Sequence, residues 1–245
     1  MIKIEHVVCP SDDQMMFVIE GMRNAFNSWD KSDSAMHSCT DTGVETGFHL
    51  GEVDNALMCK LARLGSDERK FMRQMPIMMR ITAPLYWWKE FDTYKVGTVT
   101  NSCSTMHKIY EKEFTLDDFS TEHLDDVSLD TFNYIIAQIE YDRKLYLKTK
   151  VKPMKDESKR AELMKKYWWQ MIQLLPSSYN QKRTVMMNYE VLANIYESRK
   201  NHPLDEWSVG FMEWIESLPY SELICGPEFL RKGFNIKKGE DNNEV

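Results

Sequence analysis

The sequence predicts an α+β fold, with a small mixed or antiparallel sheet and several long helices. Three observations point there. Apolar residues in the second half of the chain recur every three or four positions over long stretches, the period of a helix. Only two segments, IKIEHVV at residues 2–8 and MPIMMRITA at residues 75–83, read as strands. The 245 residues hold no internal repeat and no low-complexity linker, so one domain over 1–230 is expected, with a loose, charged tail over 231–245.

The elements follow in order. Alternation over 2–8 gives a first strand. Met16, Ile19, Met22 and Phe26 place a helix over 13–30. Ser, Thr, Asp and Gly crowd Ser32–Glu45, which reads as a loop, and Ala56–Leu64 forms a short helix stopped by Gly65. After the strand at 75–83, Pro84 limits pairing and bends the chain. Residues 85–95 continue as a helix with Leu85, Trp88 and Asp92 on one face, Gly97 ends it, and Thr98–Thr105 is a loop. Four helices complete the chain: Leu129–Leu147, Glu157–Leu175 closed by Pro176, Thr184–Ser198, and Leu204–Ser217.

Composition excludes several classes. Hydrophobic residues make up 42% and charged residues 28%, as in ordinary globular proteins. The net charge is -7, so a basic footprint for a nucleic-acid polymer is absent, although one phosphate needs only a few local donors. No stretch approaches the roughly 18 apolar residues of a membrane helix. The start, MIKIEHVVCPSDDQ, lacks the apolar core of a signal peptide, and a cytoplasmic protein is expected. The five cysteines, Cys9, Cys39, Cys59, Cys103 and Cys225, show no CxxC or Cys/His spacing. Free thiols are expected, and no metal site.

Two stretches carry candidate chemistry. The first is YWWKEFDTYKVGTVTNSCSTMHKI, residues 86–109. Thr98, Thr100, Ser102, Ser104 and Thr105 supply hydroxyls, Asn101 an amide, and Lys89 and Lys95 charge. Short polar side chains around a glycine turn leave backbone N–H groups open to phosphate oxygens; a solvated surface loop has the same composition. Cys103 is either a thiol made reactive by nearby cations or a small packing residue. His107 alone has no role. The second stretch is TVMMNYEVLANIYESR, where Asn188, Leu192, Ile195 and Arg199 share a narrow helical stripe, with Asn194 and Ser198 on its flank. Arg199 either extends its head to solvent or forks onto an anion. The pairs Trp87-Trp88 and Trp168-Trp169 serve core packing or ring stacking.

Together these blocks resemble the flavin-dependent thymidylate synthase family. That family carries Arg-His-Arg, seven residues and then Ser after an Ala-Pro strand end and an aromatic helix. Here Ala83-Pro84 and the spacing are kept, Thr93-Tyr94-Lys95 stands for Arg-His-Arg, and Cys103 for the Ser. The family's later block, Leu-Pro and then Asn-x-Arg-x-Leu-x-Asn with a following Arg, matches Leu175-Pro176 and NYEVLANIYESR from Asn188 to Arg199. Family arginines fall on Thr105, Ile172 and Glu190. The resemblance covers residues 65–110 and 172–210.

The resemblance implies that family's fold and a cytosolic homotetramer with FAD between subunits. The implied reaction is reductive methylation of dUMP to dTMP, with methylenetetrahydrofolate and NADPH as co-substrates. It carries Thr93, Tyr94, Lys95, Asn188, Asn194 and Arg199 to the cofactor. Lys89, Glu90, Thr98, Asn101, Cys103, Ser104, Thr105 and Arg199 are carried to the nucleotide, and Cys103 and Tyr94 to catalysis. It leaves open a synthase of a modified pyrimidine, or a descendant that binds nucleotides or serves assembly without turnover. The polar loop and the stripe ending at Arg199 are expected to enclose the ligands across a subunit boundary.

Overall fold

A computed structural model describes residues 2–37, 47–104 and 108–226. Its strands are β1 (Lys3–Val8), β2 (Ala35–His37), β3 (Gly47–His49), β4 (Pro76–Pro84), β5 (Val99–Ser102) and β6 (Asn180–Asn188). Its α-helices are α1 (Asp12–Asn24), α2 (Glu52–Ala62), α3 (Leu85–Phe91), α4 (Asp126–Val151), α5 (Glu157–Leu174), α6 (Tyr189–Arg199), α7 (Met212–Glu216) and α8 (Glu222–Cys225). The fold is α+β, as the sequence predicts. Two compact units divide the chain: Met1–Val8, Met78–Met186 and Leu204–Gly210 form one, and Cys9–Ile77, Met187–Pro203 and the chain from Phe211 onward the other.

The first unit is built on a sheet of order β1-β4-β6-β5, in which β1 pairs antiparallel with β4 and β5 antiparallel with β6. Alternation decides the inward face of β4: Met79, Ile81 and Ala83 are buried. Beyond Pro84, extended at ψ 152°, α3 places Trp87, Trp88 and Phe91 in the core. Trp207, on a π-helical turn over Glu206–Phe211, packs its ring 4.5 Å from that of Trp87. Removing one such ring would cost about 3–5 kcal/mol. A second cluster joins Ile136 and Ile139 of α4 and Met171 of α5 to Ile109, Phe114 and Phe119. Glu140 binds Arg143 at 2.7 and 2.8 Å and accepts from the Phe114 N–H, while Arg143 donates to the Tyr110 carbonyl. The segment after residue 107 is thereby fixed to α4.

In the second unit the buried Asp54 carboxylate organises the chain ahead of β2. It accepts from Arg23 Nε at 2.7 Å, the Ser32 and Ser34 hydroxyls at 2.7 Å each, and the Asp33 and Ser34 N–H groups. Asp33 in turn caps the first turn of α2 through the Val53 and Asp54 N–H groups. Gly51 sits so close that a Cβ there would lie 2.1 Å from the Asp33 side chain, which excludes any larger residue.

Several elements differ from the sequence expectation. The helix expected over 13–30 ends at Asn24, because the chain turns through Asn27 at positive φ. The loop expected over Ser32–Glu45 contains β2, and 38–46 lies outside the described residues, as does the tail 231–245. The helix expected over 85–95 stops at Phe91, and Gly97 follows at φ 74°. Val99–Ser102, expected as loop, is an edge strand, formed because β6 offers it a partner rather than because its residues alternate. The helix expected from Thr184 begins only at Tyr189. Asn188 is its N-cap and accepts from the Val191 N–H at 3.0 Å, and Thr184–Met187 belong to β6. The last expected helix is a π turn followed by the short α7.

Candidate functional site

The first unit carries a cleft of about 390 Å³ where β5 ends, lined by Cys103, Ser104, Lys108, Lys112, Asn180 and Lys182 among others. Cys103 is exposed, and Thr105 and His107 lie outside the described residues. The Gln181 amide donates to the Cys103 carbonyl at 3.0 Å, while its oxygen accepts from Arg183 Nε at 2.9 Å. Arg183 pairs with Asp92 at 2.6 Å and lies 4.2 Å over the Trp88 ring, whose Nε1 donates to the Gln181 carbonyl at 3.0 Å. Trp88 is core, and it meets the polar loop through β6.

Charge around the cleft is mixed. Lys112 pairs with Asp118, Lys3 with Glu5 at 2.9 Å, and Lys108 with Glu111 at 2.5 Å. The Glu111 carboxylate holds the Lys108 ammonium above its usual pKa, with Tyr110 and Cys103 adding smaller contributions. The ammoniums of Lys3, Lys108 and Lys112 lie in solvent, which screens their hold on these carboxylates. Asn180 presents an amide suited to a pyrimidine edge, whereas that of Gln181 is engaged by Cys103 and Arg183. Chemically the cleft can hold a phosphate ester beside a thiol.

Lys89, Glu90, Thr98 and Asn101, also expected at the nucleotide, do not line this cleft. Lys89 is exposed. Glu90 accepts from Trp207 Nε1 at 3.2 Å. The Thr98 hydroxyl is buried with no hydrogen-bond partner among the described residues. Asn101 lines a separate hollow with Arg80, Thr184 and Met186. The cations at the cleft are instead Lys3, Lys108, Lys112 and Lys182, which the loop sequence alone did not reveal. The pairing of β5 with β6, which brings Asn180–Lys182 beside Cys103, is the signal that was missing.

Past α3, the Thr93 hydroxyl donates to the Glu90 carbonyl at 2.7 Å and so finishes the helix. Tyr94 packs edge-on to Trp207 at 6.3 Å, and Lys95 is exposed. In the second unit, Leu192 and Ile195 of the α6 stripe are buried, Asn188 caps the helix, and Arg199 ends it half-buried. Asn194 accepts from Arg69 Nη2 at 2.8 Å. Glu190, where the family has arginine, accepts from Arg69, Arg73 and Ser66. Arg73 holds the Glu190 carboxyl below its ordinary pKa, against burial and with help from Arg69 and Ser66. For the anionic part of a dinucleotide cofactor these residues do not fit, because the arginines of this cluster already carry a carboxylate. Among the described residues no group of three His, Cys, Asp or Glu side chains could hold a metal ion, and no helix is long and apolar enough to cross a membrane.

No family model matches the sequence, and no curated protein matches it. Solved structures do match. Thymidylate synthase X (ThyX) from Helicobacter pylori, solved with FAD and dUMP, superposes with a TM-score of 0.58 at 13% identity, covering 94% of this chain and 100% of that one. A second structure of the Helicobacter pylori enzyme, a flavin-dependent thymidylate synthase complexed with FAD and dUMP, gives 0.56 at 15% identity, covering 93% and 98%. The chain has the ThyX fold. At this identity the likeness speaks for the fold alone.

Proposed function

We propose that this chain binds a uridine 5′-monophosphate nucleotide in the Cys103 cleft and carries out a divergent form of the flavin-dependent reaction. That reaction converts dUMP to dTMP with FAD as cofactor and methylenetetrahydrofolate and NADPH as co-substrates. The observation that carries the reading is the cleft itself: Cys103 and Ser104 beside Lys108, Lys112 and Lys182, with the amides of Asn180 and Gln181, in a chain whose fold matches the full length of ThyX. In this reading the lysines hold the phosphate, the Asn180 amide and Ser104 orient the pyrimidine, Gln181 holds the Cys103 main chain in place, and Cys103 stands at the base.

A specific observation favours a second reading, a nucleotide-binding descendant without turnover. The flavin-side positions are engaged internally, with Thr93 on Glu90, Asn194 on Arg69 and Glu190 on Arg69 and Arg73. One experiment separates the two: isothermal titration with dUMP, combined with a visible spectrum of the purified protein incubated with FAD. Binding of both, with bleaching by NADPH, supports the enzyme. Binding of dUMP by a protein that takes up no flavin supports the second reading, and absence of dUMP binding overturns both.

The proposal extends to self-association as a homotetramer. Val127, Tyr134 and Tyr141 recur every seven residues along α4 and are 77%, 74% and 58% exposed. Acidic Asp126 and Asp130 lie toward the start of this helix, and basic Lys144 and Lys148 toward its end. Two copies of α4 packed antiparallel about the Ala137–Gln138 bond would set Tyr134 against Tyr141 and oppose unlike charges. This stripe is the proposed contact between copies.

A further inference from the structure

Glu190 belongs to the first turn of α6, and its side chain is only 10% exposed. Its Oε1 accepts from Arg69 Nε at 3.3 Å, Arg73 Nη2 at 3.2 Å and the Ser66 hydroxyl at 3.3 Å, and its Oε2 from Arg73 Nε. Arg73 Nη2 also donates to the Ser66 hydroxyl at 2.6 Å, and Asn194 orients Arg69 through its Nη2. We propose that Arg69, Arg73 and Ser66 form an oxyanion site whose resident is the chain's own Glu190 carboxylate, so that the native protein keeps the site closed to phosphate and phosphate esters.

Three arguments carry this. Two guanidiniums gathered on one point repel each other and require an anion between them. The donors are those that recognise phosphate: a forked guanidinium edge from Arg73, a second guanidinium and a hydroxyl. Finally, the cluster balances its charge internally. Asp67 also acts on Arg73, so a second carboxylate joins Glu190 in offsetting the two arginines. A carboxylate at this position is also favoured by the N-terminal end of α6. Where the resembling family places an arginine, this chain has reversed the charge and supplied two arginines from the turn Arg69–Gln74. The inference holds whether or not the protein methylates a nucleotide.

The test uses the full chain with Glu190→Ala and Glu190→Gln, melted in inorganic phosphate and in sodium chloride of matched ionic strength. In chloride, E190A melts below the native protein. In phosphate its melting temperature recovers along a saturating curve, with an apparent affinity at least about tenfold above any shown by the native chain, since several charge-assisted bonds become available to the ion. Adding Arg73→Ala to E190A abolishes the recovery. A plain structural ion pair would lower stability without this selective rescue. Should E190A fail to fold, the near-isosteric E190Q is titrated with phosphate instead and shows the same gain over the native chain. Equal responses to phosphate in native, E190A and E190Q proteins overturn the proposal, as does a saturable phosphate response in the native chain that R73A removes.

Discussion

Gln181 holds Cys103 by the main chain: its amide donates to the Cys103 carbonyl at 3.0 Å, while its oxygen is committed to Arg183 at 2.9 Å. The amide cannot flip without breaking both bonds. The end of β5, and with it one wall of the cleft, is therefore set by a buried side chain of β6 rather than by its own sequence.

Gln181→Leu removes both bonds and leaves Arg183 Nε facing an apolar group. We expect a loss of about 1–3 kcal/mol in urea unfolding, together with faster reaction of Cys103 with a thiol reagent. An unchanged thiol rate would mean that the loop is positioned by something else.

Lys108→Ala and Lys182→Ala leave the core untouched, so stability should move by no more than about 0.5 kcal/mol. If the cleft holds a nucleotide phosphate, each substitution weakens dUMP binding about threefold to tenfold and flattens its dependence on salt. Calorimetric titration at two salt concentrations decides this. Affinities equal to the native value would remove the phosphate from these lysines.

Asp54→Ala strips the buried partner from Arg23, three 2.7 Å bonds in all, and frees Ser32–Ser34 from α2. Breaking a buried pair of this kind costs about 3–5 kcal/mol. The denaturation midpoint of D54A measures it, and a loss below about 1 kcal/mol would show that the network is dispensable.

Acid should destabilise the protein through the same carboxylates. Burial pushes Asp54 up, but bonds from Ser32, Ser34 and Arg23 outweigh it and leave the carboxyl below its ordinary 3.8. Arg73 holds Glu190 below 4.5. A folded pKa below the unfolded one means that the unfolded chain binds the proton more readily. The stabilisation is present above those ordinary values and is lost as pH falls through the depressed folded ones. Stability measured from pH 7 downward should hold until near 4.5 and then decline, and E190Q should decline less. A native curve parallel to that of E190Q would exclude Glu190 as a contributor.

Tyr134→Glu places a charge on the α4 stripe against the apolar face of the second copy, at a ring that is 74% exposed. The monomer loses little, because most of the ring already meets solvent. Light scattering should show a shift to smaller species if α4 joins copies of the chain. An unchanged mass would remove this face from the interface.

How much was legible in the sequence depends on whether the signal was local. The period of apolar residues found α4 and α5 and placed β1 and β4, because burial of one helix stripe or one strand face is written in the residues themselves. Val99–Ser102 carried no such pattern: an edge strand with little buried surface forms because β6 presents free carbonyls and N–H groups, and only pairing reveals it. Thr184–Met187 misled for the related reason that a segment entering a helix shares its apolar spacing, and Asn188 marks the boundary through a bond to Val191.

The sequence by itself determined the α+β class, the long helices, the absence of a basic footprint and the resemblance that singled out Cys103, Glu190 and Arg199. Tertiary structure alone decided which groups meet. Lys108, Lys112 and Lys182 reach one cleft from distant parts of the chain, Gln181 fixes Cys103, and Glu190 is claimed by Arg69 and Arg73 more than a hundred positions earlier. The physical reason is range. Hydrophobic period and capping act over a few residues, whereas charge pairing and strand pairing act across whatever distances folding closes.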